Sequence, residues 1–301
     1  MSRIDVRKTY KLYVGGKFPR SESGRTYPVY AAPARSGATP RLLANAAAAS
    51  RKDAREAVVA ARAAQPGWAG ATAYNRGQVL YRVAEVMEGR REQFVADVRA
   101  AEGVSAARAE ALVSAAIDRW VWYAGWSDKF TQVAGGVNPV AGPFFDVSVP
   151  EPVGVVAILA PQASSLLGLV SVLAPTIVTG NTAVVLTSAT RPLPAVTLAE
   201  CLATSDVPGG VVNILTGDPA EMAPWLASHR DVGGLDLTGA ADAAGVDWGA
   251  LEASAADTLT RVLRPGGTGA EAVEPDWLPE PGLGRMMRFV DVKTVWHPKG
   301  R

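Results

Sequence analysis

Pro152-Val-Gly-Val-Val-Ala-Ile-Leu-Ala-Pro161 and Gly180-Asn-Thr-Ala-Val-Val-Leu186 are two apolar, β-branched runs separated by a stretch of helix length. Residues 153–159 read as a strand, 165–178 as a helix and 182–186 as a second strand. The alternation continues with a helix over 193–204, a strand over 211–215, a helix over 220–228 and a short fourth strand at 235–237. Strand, helix and strand repeated in this way predict an α/β fold, a Rossmann-like parallel sheet with flanking helices and right-handed crossovers. Ligands of such sheets bind at the carboxyl ends of the strands, near helix N-termini that favour phosphate. The candidate loops are therefore 160–165, 187–191, 216–220 and 238–242. None carries the three spaced glycines of a dinucleotide fingerprint, so the pattern alone leaves a nucleotide open.

The segment before this core reads as short strands and helices. Tyr10-Lys-Leu-Tyr-Val-Gly-Gly-Lys-Phe18 is a strand with a tight Gly-Gly turn, and 19–38, rich in Pro, Gly and Ser, is expected along the surface. Ser50 and Asp53 form a capping-box pair opening a helix that Pro66-Gly67 should stop. Further helices are expected over 74–88, 92–98 and 106–126, the last carrying Trp120, Trp122, Tyr123 and Trp126 as core or interface aromatics. The chain has 301 residues, is 48% hydrophobic and carries a net charge of +1, which gives no general pull toward nucleic acid or anionic lipid. Residues 1–13 lack the apolar core of a signal peptide, and the apolar stretches are too short or broken to span a bilayer. A single cysteine excludes an internal disulfide framework and fits a reducing compartment. The expectation is a cytoplasmic protein with neither nucleic acid nor membrane as partner.

The order and spacing of several motifs carry more than the periodicity does. Pro152-Val-Gly-Val, Ala174-Pro, Gly180-Asn-Thr-Ala-Val-Val-Leu, Val207-Pro-Gly-Gly-Val-Val-Asn, Thr216-Gly-Asp, Ser228-His and Leu237-Thr-Gly resemble successive motifs of the aldehyde dehydrogenase superfamily. Tyr13-Val-Gly-Gly-Lys-Phe, residues 53–61, Trp68 and the closing Phe289-Val-Asp-Val-Lys-Thr-Val-Trp fit the same family. That resemblance implies oxidation of an aldehyde through a cysteine thiolate, with hydride passing to NAD(P). The reaction needs a nucleophile, an oxyanion donor, a general base and a held cofactor.

This chain departs from the family at each of these. The cysteine and glutamate implied by the resemblance lie beyond Thr238-Gly239, where only residues 240–286 precede the closing strand, too few for a domain of ordinary size. The family's Pro-Trp-Asn, source of the oxyanion amide, reads Pro161-Gln162-Ala163. Its ribose-binding lysine is replaced by the uncharged run Thr187-Ser188-Ala189-Thr190, and Arg191 reads as a surface residue. Glu221 follows Thr216-Gly217-Asp218-Pro219, where a carboxylate suits the helix dipole and repels a pyrophosphate. Cys201 sits inside a predicted helix as a small apolar side chain. His229 and His297 lack a partner at metal-ligand spacing, so no metal site is expected, and Asp242 and Asp247 read as cap or loop residues.

The resulting expectation assigns no catalytic residue. It assigns degenerate cofactor-binding positions at Leu159, Ala160, Thr187, Gly217, Thr238 and Gly239, with no cofactor or weakly bound NAD(P). Residues 1–132 and 151–245 form the nucleotide-binding-type domain, and 133–150 with 284–301 a small antiparallel β oligomerisation arm. Residues 246–283 supply a helix, expected over 246–262, and a linker anchored by Trp277-Leu278 in place of the catalytic domain. In the family such an arm joins the sheet of a neighbouring subunit's catalytic domain. The resemblance thus implies a non-catalytic subunit docking on a full-length aldehyde dehydrogenase, a hetero-oligomer through the β arm. Two other readings stay open: an NAD(P)-dependent aldehyde oxidoreductase with a rebuilt site using Cys201, and a nucleotide-binding sensor.

Overall fold

The structure, a computed structural model, describes residues 8–33, 39–266 and 273–299. The readings made on residues 1–7, and parts of those on the surface stretch and the Gly-rich connector, lie outside these. The chain opens with β1 (Thr9–Tyr10), β2 (Thr26–Tyr30) and β3 (Leu42–Ala47). Four long helices follow: α1 (Arg51–Gly70), α2 (Ala73–Gly89), α3 (Arg91–Glu102) and α4 (Ala106–Trp126). The short α5 (Phe130–Ala134) leads into the hairpin β4 (Gly136–Asn138) and β5 (Phe144–Pro152). The α/β core is β6 (Val155–Leu159), α6 (Leu167–Val178), β7 (Thr182–Leu186), α7 (Leu193–Leu202), β8 (Val212–Leu215), α8 (Pro219–Ala227), β9 (Val232–Asp236), α9 (Trp248–Ala256) and β10 (Arg261–Leu263). The last strand is β11 (Val290–Pro298).

The five core strands are parallel in the order β10-β9-β6-β7-β8. Alternate residues of each strand feed opposite cores. Val156 and Ile158 pack with α2, α4 and α6, whereas Val155, Ala157 and Leu159 pack with α1, α8 and α9. Burial on both faces explains why these strands read as unbroken apolar runs.

Buried amides stitch the elements together. The Asn181 side chain accepts from the Gly154 amide at 2.9 Å and donates to the Phe289 carbonyl at 2.8 Å, joining β6, β7 and the approach to β11. Asn213 donates to the carbonyls of Ala183 and Gly210 and accepts from the Gly15 amide. Gly15 and Gly16 both take positive φ at the turn between Val14 and Lys17.

Four local expectations are corrected. Residues 19–38 do not simply run along the surface, because Thr26–Tyr30 forms β2, paired antiparallel with β3. The helix opened by the Ser50–Asp53 capping box continues through Pro66 to Gly70. Beyond the proline, Trp68 is buried and its indole N–H donates to the Ile177 carbonyl at 2.8 Å, so tertiary contact outweighs the local break. The helix expected over 246–262 is the shorter α9, capped by Asp247, and Arg261–Leu263 is instead a fifth parallel strand beside β9. Of the Trp277-Leu278 anchor only the tryptophan is buried.

The hairpin and β11 form a separate antiparallel sheet in the order β11-β5-β4, with β11 matched to β5 along its full length. Replacing Asn181 with alanine should lower stability by about 2–4 kcal/mol, since it strands a buried amide and a carbonyl. Urea denaturation would show a lower midpoint at unchanged slope; an unchanged midpoint would remove Asn181 from this role.

Candidate functional site

Strand order reverses at β6: the chain runs outward through β7 and β8, then returns to the other side of β6 with β9 and β10. The crevice expected to take a ligand therefore lies between the carboxyl ends of β6 and β9. Leu159, Ala160, Thr238 and Gly239 meet there, as four of the six assigned positions. The crevice is closed by backbone. The Gly239 amide donates to the Leu159 carbonyl at 3.0 Å, and a Cβ on Gly239 would stand 1.9 Å from the Ala160 carbonyl oxygen. Glycine is required here for strand-to-strand approach.

The other two positions are apart from this point and equally buried. Thr187 follows β7, its amide bonded to the Leu215 carbonyl at 3.0 Å. Gly217 follows β8 at φ +136°, against the backbone of Ala48 and Ala49. Thr238 points its hydroxyl to Asp236, whose buried carboxylate is paired with Arg285 at 3.1 Å. The same arginine donates to the Thr238 hydroxyl and stands over the Trp277 ring.

The loop amides at the head of α6, the natural seat for a phosphate, are occupied by the chain's own carboxylates. Glu274 accepts from the amides of Ala163 and Ser164 at 2.9 and 3.0 Å, and from the Trp277 indole at 3.0 Å. Glu102 accepts from the Ser165 amide and hydroxyl, both at 2.7 Å. Gln162 bridges two loops, donating to the Ala160 carbonyl and accepting from the Ala189 amide. Arg191, read as a surface side chain, donates to the Ala163 carbonyl and helps tie the same loops. The sequence reading gave Trp277 only as an apolar anchor of the linker and missed Glu274 and Arg285. Gly168 was the available signal, since a Cβ there would lie 2.9 Å from the Trp277 indole nitrogen.

The remaining candidates are spread out. Cys201 is 0% exposed within α7, and burial pushes its thiol up to about 11, with the Arg90 guanidinium 3.9 Å away pulling it down. A thiol in that state is a poor nucleophile. Glu221 lies exposed in the first turn of α8, behind the Asp218 cap. His229 accepts from the Asp231 amide, and His297 lies on β11. Among the described residues no three His, Cys, Asp or Glu side chains are grouped to hold a metal ion. Among them, too, no helix is long and apolar enough to cross a membrane.

The chain thus joins a doubly wound parallel sheet to an antiparallel three-stranded appendage. Residues 22–273 match the family model described as the aldehyde dehydrogenase family, so the chain belongs to that family. It is 30% identical over 270 residues to cytosolic aldehyde dehydrogenase 1 of Elephantulus edwardii, covering 87% of this chain and 51% of that protein. Among solved structures it resembles HpcC from Thermus thermophilus, with a TM-score of 0.77 at 28% identity over 85% of this chain and 47% of the other. It also resembles the NAD+ complex of the aldehyde dehydrogenase from Bacillus cereus, with a TM-score of 0.77 at 26% identity over 85% of this chain and 50% of that one. The chain spans about half the length of the curated relative it matches. The family match runs on through α9 and β10 to residue 273.

Burial also raises the hydroxyls of Tyr10 and Tyr123 to about 12. All three groups hold their protons more tightly folded than unfolded. Their contribution is complete below the ordinary thiol and phenol values of 9.0 and 10.0 and is lost as pH rises through about 11 and 12. The urea midpoint should therefore begin to fall above about pH 9, and Cys201→Ala should delay that onset towards pH 10. A flat profile up to pH 12 would contradict the burial of these groups.

Proposed function

We propose that this chain is a non-catalytic member of the aldehyde dehydrogenase family that docks its β arm on a full-length aldehyde dehydrogenase and stabilises or regulates it. The observation that carries this reading is the arm itself. β11 is paired on one edge only, and its residues from Asp291 onward are exposed. Val137, Val147 and Val295 stand directly opposite one another across the three strands, giving an apolar ladder on one face, with Val137 71% exposed. An open strand edge with an apolar face is the surface that strand addition uses, and one that is hazardous when left bare.

The chemistry supports the non-catalytic half of the reading. The one thiol is buried and protonated, and Ala163 stands where the family's oxyanion asparagine is expected. Residues 240–270 contain a single glutamate, Glu252, which is paired with Arg264 at 2.7 Å on the outer side of α9. These features argue against a rebuilt oxidoreductase site using Cys201. The closed crevice between β6 and β9, with carboxylates on the α6 amides, favours weak NAD(P) binding and weighs against a nucleotide sensor.

Co-expression with a full-length aldehyde dehydrogenase from the same genome should yield a co-eluting complex. Amide exchange along the free edge of β11 should be fast in the isolated chain and slow in the complex. A Val137→Asp, Val295→Asp variant, whose new charges sit on the two outer strands, should keep the melting temperature and lose co-elution. Separate elution of the wild-type chain, or an arm already protected when alone, would end this reading.

A further inference from the structure

Beside α4 and α6 lies a cavity of about 380 Å³, roofed by the segment around Trp277. Arg119 on α4 lines it and is 6% exposed. One terminal nitrogen of its guanidinium donates to the carbonyls of Trp277 and Pro279, at 2.6 and 3.1 Å. The other nitrogens have no partner among the described residues, and no carboxylate pairs with the group. The guanidinium of a residue only 6% exposed thus meets two neutral acceptors and no carboxylate, where buried charges are ordinarily compensated. Arg285 lines the same cavity and repels Arg119, and Arg288 stands exposed at its rim. One turn further along α4, Tyr123 also lines the cavity and is 1% exposed, and its hydroxyl has no hydrogen-bond partner among the described residues.

The geometry points to an anion site here: Arg119, Arg285 and the Tyr123 hydroxyl hold the carboxylate of a small organic acid, whose apolar body lies along Trp277 and Leu263. An anion supplies the partner that Arg119 and the Tyr123 hydroxyl lack, while Arg285, already bonded to Asp236 and Thr238, adds its charge from the wall. It neutralises the buried guanidinium, screens it from Arg285, and accepts from the phenol. The rim chooses among anions. Asp276 and Glu280 line the mouth, Asp276 already bonded to the Leu278 amide, and their charges penalise a dianion more than a singly charged carboxylate. The apolar walls and the volume suit a ligand of a few carbon atoms beyond its charged end. Burial holds the Tyr123 hydroxyl near 12, so it is a donor throughout the neutral range. The site stands whether or not the arm docks on a partner.

Calorimetric titration of the full chain with benzoate, acetate and inorganic phosphate tests the assignment. Benzoate should bind at millimolar concentration, acetate more weakly, and phosphate least. Tyr123→Phe should weaken benzoate roughly tenfold, the worth of one hydrogen bond to a charged group. Arg119→Gln should abolish binding. No heat with benzoate, phosphate binding tighter than benzoate, or a Tyr123→Phe variant with wild-type affinity would each overturn the site. Should Arg119→Gln fail to fold, the Tyr123→Phe titration decides alone.

Discussion

The side chain of Asn181 is the joint on which the molecule turns. It stands at the start of β7 with its carboxamide fully buried, accepting from Gly154 before β6 and donating to Phe289 before β11. A sheet buried on both faces can carry an appended antiparallel layer only if the crossing backbone is satisfied away from water. Asn181 does this with one donor and one acceptor in a fixed plane. The approach to the arm and the approach to the central core strand are thus bonded to one side chain.

The carboxyl edge of the core shows the opposite economy of contacts. In a parallel sheet this edge is where amides and helix dipoles are left over for a ligand. Here they are answered from within: Glu274 and Glu102 sit on the α6 amides, Gln162 and Arg191 cross-link the loops, and Arg285 neutralises Asp236. Several partners come from residues 273–285, far along the chain. An internal carboxylate is always present at high effective concentration, so an external anion must displace it rather than fill a vacancy.

The α/β core was legible because its strands are continuous apolar runs and its helices begin and end at ordinary signals; Thr182–Leu186 and Ala106–Trp126 match their expected bounds. The misses share one cause, contact between distant residues. Thr26–Tyr30 includes Pro28, which a strand tolerates because β2 is the edge of its sheet, a position the sequence does not display. Arg261–Leu263 continues the spacing of α9, and only pairing with β9 makes it a strand. The site was legible to the level of loops. Leu159, Ala160, Thr238 and Gly239 do converge, but that they converge so tightly depends on a backbone contact invisible in composition. Glu274 was beyond reach because the amides it accepts from, those of Ala163 and Ser164, lie more than a hundred residues away.

A carboxyl edge bonded from within the chain differs physically from one left bare. Had the carboxyl edge merely decayed, its amides would be exposed or orphaned. Instead they are bonded, and the two side-chain atoms left buried without partners among the described residues, the Tyr27 hydroxyl and the Trp120 indole nitrogen, lie elsewhere. Two further places keep unmet bonding capacity that solvent or a ligand can reach: the free edge of β11 and the guanidinium of Arg119 beneath the Trp277 segment. Both are costly to leave unanswered, the first through strand-edge aggregation and the second through uncompensated buried charge. On the reading proposed above, the groups open to recognition lie at the periphery of the sheet, while the amides at its carboxyl edge are bonded within the chain.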